Sequence, residues 1–161
     1  MRESIILMGM DILQPAVALM IWTMIIWAWM YVTRIPAMQK QHIQPDDAQI
    51  AGLLDQKLPQ KVQWKAHNYN HLHEAPTVFY ATAIILAILG AGDGMNAFLA
   101  WIYVGLRVAH SLVHVTANKV MVRFVLFLLS SVVLIALIVD TALIVFGSGT
   151  ALQGADLIQI R

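Results

Sequence analysis

The chain has 161 residues, of which 60% are hydrophobic and 12% are charged. Soluble proteins average about 45–50% apolar and about 25% charged residues, so this composition is typical of one membrane-embedded domain. A net charge of +1 without a basic run argues against nucleic-acid binding, and the absence of cysteine excludes disulfides, thiolate metal sites and a cysteine nucleophile.

The first long apolar run extends from Pro15 to Val32, and we predict a membrane-spanning helix over residues 11–34. At about 1.5 Å per residue, the run crosses most of a hydrocarbon core about 30 Å thick. It is longer than the apolar part of a signal peptide and no small-residue cleavage site follows, so we expect it to be retained. Trp27, Trp29 and Tyr31 near its end are typical of the membrane interface.

A polar loop follows over residues 35–63, with three prolines and charges of both signs. Loops of this length are usually functional or partly disordered. The stretch Asp46–Leu54 has the composition to cap and begin a short surface helix. A solvated linker is the simpler interpretation, and it is the one we adopt.

The second span is predicted over residues 64–90, and its first half has the densest polar chemistry in the sequence. A carboxylate near lipid is costly without a partner, so Glu74 predicts a cation on a neighbouring helix. Pro76 removes a backbone donor, which predicts a bend just beyond Glu74. Four polar residues share one face of a continuous helix here, at i, i+3, i+4 and i+7: His67, Asn70, His71 and Glu74.

The third span, over residues 95–117, carries a second polar stripe. A buried arginine is costly unless it is paired, so Arg107 must point inward. Arg107 and Glu74 each lie about ten residues from the same end of their helices, and we therefore predict an interhelical ion pair between them. The members of this stripe recur at spacings of three and four residues: Tyr103, Arg107, His110, Ser111 and His114.

The fourth span, over residues 120–146, is almost entirely apolar. Asp140 lies near its outer end, where we expect the carboxylate to be solvated or locally capped. The four segments predict an all-α integral membrane four-helix bundle, with a single domain over residues 1–161. Lysine and arginine are concentrated in the first loop and the third turn, so the positive-inside rule places those loops in the cytoplasm and both termini outside.

With these motifs in view, the chain resembles the MAPEG family, the membrane-associated proteins in eicosanoid and glutathione metabolism, and in particular a bacterial branch of it. The resemblance covers most of the chain and implies a homotrimer in a bacterial inner membrane, with sites between subunits near the cytoplasmic face. It is carried by Asn70, Glu74 and Pro76 in the second span, by Arg107-Val-Ala-His110 in the third, and by Lys119 and Arg123 after it.

The same resemblance implies that glutathione is the cosubstrate of a transferase or peroxidase, with a small hydrophobic electrophile or lipid hydroperoxide as the second substrate. Arg123 would be catalytic, because a guanidinium near a thiol lowers its pKa and raises the thiolate fraction. The remaining polar residues would hold the ligand: Lys65, Asn70, His71, Glu74, Arg107, His110 and His114.

Two other functions fit the same residues. A non-catalytic membrane subunit that binds lipid or a partner protein would use the polar stripes to join helices. A metal or haem site would use His110 and His114, which are one turn apart, with His71, His73 and Glu74 as further ligands. Arg107 beside these histidines repels a cation, so we predict no resident metal.

Overall fold

The computed structural model describes residues 9–50 and 52–156, with side chains as far as residue 147 except those of Pro45 and Ala48. All regular structure in this part of the chain is helical, which confirms the all-α prediction for it. The elements in chain order are α1 (Leu13–Lys40), a 3-10 helix (Pro45–Gln49), α2 (Leu53–Lys57), α3 (Gln60–His71), α4 (Ala75–Ile88), α5 (Met95–Thr116) and α6 (Val120–Asp156).

Three helices in the described residues are long and apolar enough to cross a membrane. The candidate segments are Leu13–Lys40, Met95–Thr116 and Val120–Gly147. Less than half of each apolar segment is buried within the chain. Large exposed apolar surfaces are unfavourable in water, so these helices require lipid or other protein chains around them.

The polar and apolar halves of the second predicted span form two separate helices. α3 ends at His71 and α4 begins at Ala75, with Glu74 between them at φ −91° and ψ −99°. Pro76 occupies the first turn of α4, where its missing N–H costs no helical hydrogen bond. The predicted bend is therefore a complete break, and it falls slightly earlier than expected because proline fits best near the start of a helix.

The core forms where α1, α4, α5 and α6 meet, and it places one face of α5 at the centre of the chain. The ring of Tyr103 stacks on that of Phe79 with 4.5 Å between centroids. This contact fixes the α5 face that also carries Arg107, one turn further along. The largest buried apolar members are Ile12, Leu19, Ile26, Phe79, Leu86, Tyr103 and Leu137.

The loop after α1 forms two short helices and contacts α3, so it is not an unstructured linker as predicted, although most of its described residues are exposed to solvent. The backbone N–H of Gln44 donates to the Asp47 carboxylate at 2.9 Å and caps the 3-10 helix. The side-chain amide of Gln63 on α3 donates to the carbonyls of Leu54 and Leu58, at 3.3 Å and 2.6 Å. Satisfying these carbonyls holds α2 against α3.

Two carboxylates connect elements at the end of the molecule away from this loop. Asp140 accepts a hydrogen bond from the side-chain amide of Asn96 at 2.7 Å, so it is bonded across helices and not solvated or locally capped as predicted. Asp93, in the turn before α5, accepts the backbone N–H groups of Gly9 at 2.6 Å and Asp11 at 3.2 Å. This end is thus held by polar contacts between distant parts of the sequence.

Candidate functional site

Arg107 is the most deeply placed charge in the site, with 1% of its surface exposed. Its Nη2 donates to the backbone carbonyl of His71 at 2.9 Å. The break after α3 frees this carbonyl from helical bonding, and the negative end of the helix dipole adds to the attraction. Nε and Nη1 of Arg107 have no hydrogen-bond partner among the described residues. Buried donors of this kind favour an acceptor that carries negative charge.

Three imidazoles lie next to one another in this region, and those of His71 and His110 interact electrostatically with the Arg107 guanidinium. The ring centroids of His71 and His110 are 5.7 Å apart, and those of His71 and His114, like those of His110 and His114, are 5.9 Å apart. His110 and His114 are buried on α5. No group of three histidine, aspartate or glutamate side chains in the described residues is placed to hold a metal ion.

Arg123 lies in the first turn of α6, on the same side as the three imidazoles, and interacts electrostatically with all of them. Its Nη1 donates to the side-chain carbonyl of Asn118 at 2.6 Å, whereas its Nε is buried without a partner in the described structure. The residues brought together here form what we call the Arg107 cluster: His71, Arg107, His110, His114 and Arg123.

Phe127 of α6 covers the cluster from the apolar side. The guanidinium carbon of Arg107 is 5.9 Å from the centroid of the Phe127 ring, within range of a cation–π interaction. The same ring lies 6.3 Å from that of His71 and 6.5 Å from that of His110. Phe127 was not singled out in the sequence, because one phenylalanine in a purely apolar segment gives no signal.

The predicted ion pair between Glu74 and Arg107 is not formed. The Oε2 atom of Glu74 lies 3.2 Å from Nδ1 of His71, and the Glu74 side chain is 63% exposed. No carboxylate in the described part of the chain lies within 4.0 Å of the Arg107 guanidinium. The break between α3 and α4 moves Glu74 off the predicted stripe, and it supplies a backbone carbonyl to Arg107 in place of the carboxylate.

The other predicted residues of the second span lie on different faces of α3. His67 and Asn70 line a cavity beneath the folded loop, and His67 also interacts electrostatically with His114 of the Arg107 cluster. Lys65 faces α1, and its Nζ lies 5.5 Å from the centroid of a Trp29 ring. The same Nζ donates a hydrogen bond to the backbone carbonyl of Lys61 at 2.6 Å. Burial lowers the pKa of Lys65 below its usual value, and the nearby Lys61 lowers it further. Within one chain, Lys65 and Asn70 do not join the cluster.

Asn68 is a polar residue of this region that the sequence analysis missed. It is fully buried, and its side-chain amide donates to the hydroxyl of Ser111 at 2.6 Å. Its Oδ1 has no partner among the described residues. Asn68 lies three residues before His71, and this spacing was the signal that could have placed both on the face toward α5.

Comparison with known proteins supports the family resemblance. The family model described as MAPEG family matches residues 12–143, a range that includes the whole Arg107 cluster. No curated protein and no solved structure matches the chain significantly. The match covers most of the sequence, and the three apolar helices agree with a membrane location. The chain therefore belongs to the MAPEG family and is an integral membrane protein.

Proposed function

We propose that the protein is a glutathione-dependent transferase or peroxidase that acts on hydrophobic electrophiles at the Arg107 cluster. The observation that carries this proposal is a buried cationic site with free donors: Nε and Nη1 of Arg107 and Nε of Arg123. Glutathione has two carboxylates and a thiol, so it offers the anionic acceptors that these donors favour. The family is associated with glutathione, which supports this choice of ligand.

Arg123 would act on the thiol and Arg107 on a carboxylate. A guanidinium stabilises a nearby thiolate, which is the reactive form of the sulfur. In a transfer reaction the thiolate forms a bond to an electrophilic carbon, and the leaving group departs with its electron pair. In a peroxidase reaction the thiolate attacks the terminal hydroperoxide oxygen and the O–O bond breaks. A proton completes the lipid alcohol, and a second glutathione converts the sulfenic acid to a disulfide and water.

The three histidines would complete the ligand-binding surface. His71, His110 and His114 can each donate or accept a hydrogen bond according to tautomer. Glu74 lies exposed at the edge of the cluster, where it can meet the ammonium group of the ligand. Lys65 and Asn70 face away from the cluster, and they would contribute only to a site shared with a neighbouring subunit.

We propose a homotrimer of four-helix bundles, with α4 and the end of α3 forming the fourth crossing. Less than half of each apolar segment is buried within one chain, which leaves surface for both lipid and subunits. The basic residues of the first loop and of the turn before α6 favour a cytoplasmic position for the cluster, with the termini outside. A bacterial inner membrane is the location that we infer from the family branch.

The test measures glutathione binding and turnover of the purified protein in nanodiscs. We expect glutathione to raise the melting temperature, and a model aryl chloride or a lipid hydroperoxide to be consumed. Arg123→Gln should lower kcat about 100-fold with a small change in KM, because about 2.7 kcal/mol of thiolate stabilisation is lost. Lys119→Gln, which removes an exposed charge from the same turn, is the matched control.

Two results would contradict the proposal. Turnover that is equal in Arg123→Gln and Lys119→Gln would show that Arg123 does not activate the thiol. Failure of glutathione to raise the melting temperature at any concentration would exclude it as the cosubstrate. That second result, together with a partner protein retained through mild purification, would favour the non-catalytic subunit.

A further inference from the structure

The turn between α5 and α6, residues 117–119, leads from the end of one helix to the helix that carries Arg123. Asn118 lies at its centre with φ +48°, in the left-handed region. Its backbone N–H donates to the carbonyl of Val113 at 2.7 Å and so closes the last turn of α5. Asparagine tolerates this conformation better than most residues, but glycine adopts it at lower cost. The turn therefore does not by itself require the Asn118 side chain.

The Asn118 side chain contacts Arg123. Its Oδ1 accepts a hydrogen bond from Nη1 of Arg123 at 2.6 Å. An asparagine just before a helix commonly caps the free backbone N–H groups of the first turn. Within the described residues, this Oδ1 accepts from the Arg123 side chain and from no backbone N–H. The carbonyl oxygen of Asn118 thus holds a guanidinium and does not cap α6.

The stability of α6 does not explain why Arg123 stands where it does. A cation in the first turn of a helix meets the positive end of the helix dipole, which is unfavourable. Arg123 is also half-buried, and its Nε is buried without a partner in the described part of the chain. The hydrogen bond from Asn118 offsets part of this cost and restricts the guanidinium to one arrangement.

The acceptor that holds Arg123 is neutral. A carboxylate at position 118 would accept the same hydrogen bond, but its negative charge would cancel much of the attraction of the guanidinium for another anion. In the described structure no carboxylate lies within 4.0 Å of the Arg123 guanidinium. The carboxamide therefore fixes the guanidinium and leaves its positive charge available on the side of the Arg107 cluster.

We propose that Asn118 is a positioning residue, whose side-chain carbonyl holds Arg123 in place to stabilise the glutathione thiolate without neutralising the guanidinium. This inference rests on the function proposed above. Because Nη1 is engaged by Asn118, the buried Nε is a donor that remains for the sulfur. Holding a catalytic group in position before the substrate arrives lowers the barrier, and a displacement of about 1 Å can lower a rate about 100-fold.

The first experiment removes the acceptor and keeps the turn. Asn118→Gly retains a residue that favours positive φ, so its melting temperature should stay close to that of the wild type. We expect kcat to fall about tenfold with little change in KM, less than the fall for Arg123→Gln, because the guanidinium remains but is no longer held. Ala117→Gly loosens the backbone of the same turn at an exposed position, and this matched control should keep the wild-type kcat.

A double mutant separates positioning from a general structural effect. If Asn118 acts through Arg123, adding Asn118→Gly to Arg123→Gln should lower kcat no further. A second fall of about tenfold in the double mutant would overturn the inference. Equal kcat in Asn118→Gly and Ala117→Gly, with Arg123→Gln still impaired, would overturn it and leave the proposed function intact. Equal turnover in Arg123→Gln and Lys119→Gln would overturn both, so the two failures are distinguishable.

A second substitution, Asn118→Asp, tests whether the neutral acceptor matters. The aspartate tolerates the left-handed turn and accepts the same hydrogen bond, but its charge disfavours a nearby thiolate. The thiol of bound glutathione should therefore titrate at higher pH than in the wild type, so kcat should fall near neutral pH and recover as the pH rises. The ultraviolet absorption of the bound thiolate follows this titration without the second substrate, and a purely structural role would leave it unchanged. A titration curve identical to that of the wild type would overturn the proposal.

Discussion

Replacing Arg107 with methionine separates a ligand-binding role of this residue from a structural one. The substitution removes one charge-assisted hydrogen bond, to the carbonyl of His71, worth about 1.5–3 kcal/mol. It also removes two buried donors without partners, each of which costs about 1–3 kcal/mol. These contributions oppose each other: a loss of about 1.5–3 kcal/mol stands against a gain of about 2–6 kcal/mol, so the free energy of unfolding without ligand should fall by no more than about 1 kcal/mol.

A purely structural ion pair would give a different result. Breaking a buried pair by removing one partner typically costs about 3–5 kcal/mol. For a protein of this size about 1 kcal/mol shifts the melting temperature by roughly 2–4 °C. The structural role therefore predicts a loss of about 6–20 °C for Arg107→Met, and the ligand-binding role a loss of no more than about 4 °C.

The assay is a thermal melt in nanodiscs, first without ligand and then with increasing glutathione. We expect Arg107→Met to melt no more than about 4 °C below the wild type and to bind glutathione at least about 100-fold more weakly, a loss of about 2.7 kcal/mol. Lys119→Met, at an exposed position, controls for the added apolar side chain. A large fall in the melting temperature with unchanged glutathione binding would refute the reasoning, because it would make Arg107 a structural residue.

Three further predictions concern single contacts. Glu74→Gln should change stability by less than about 1 kcal/mol in thermal melts, because the Glu74 contact with His71 is largely exposed; a larger loss would mean that Glu74 is buried in the assembly. Asn68→Ala and Ser111→Ala should each lower the free energy of unfolding, and a double-mutant cycle should give a coupling energy of about 1 kcal/mol between the two residues. Additive effects of the two substitutions would show that the hydrogen bond does not contribute to stability. Gly9→Ala should lower the melting temperature, because Gly9 has φ +88° and a Cβ there would lie 2.6 Å from the backbone of Gly90. Gly105→Ala, at a helical position with open space around it, is the control and should leave the melting temperature unchanged or raise it.

The sequence alone was sufficient for the all-α class and the family. Hydrophobic periodicity and segment length predicted helices and apolar spans, and the motifs around Glu74 and Arg107 led to the MAPEG resemblance that the family model confirms. The inward face of α5 was also predictable. Its spacing of three and four residues holds along one unbroken helix, so Tyr103, Arg107 and His114 lie on one buried face as expected.

The partners of these residues were decided by tertiary structure. Helical spacing predicts a shared face only while the helix continues, and the break at residues 72–74 ends that relation for Glu74. It also creates an acceptor, the His71 carbonyl, that no side-chain pattern contains. Similarly, the loop before α3 folds because Gln63 bonds to carbonyls several residues away, which composition cannot reveal. The sequence therefore determined which residues are polar and buried, whereas backbone geometry determined what each of them contacts.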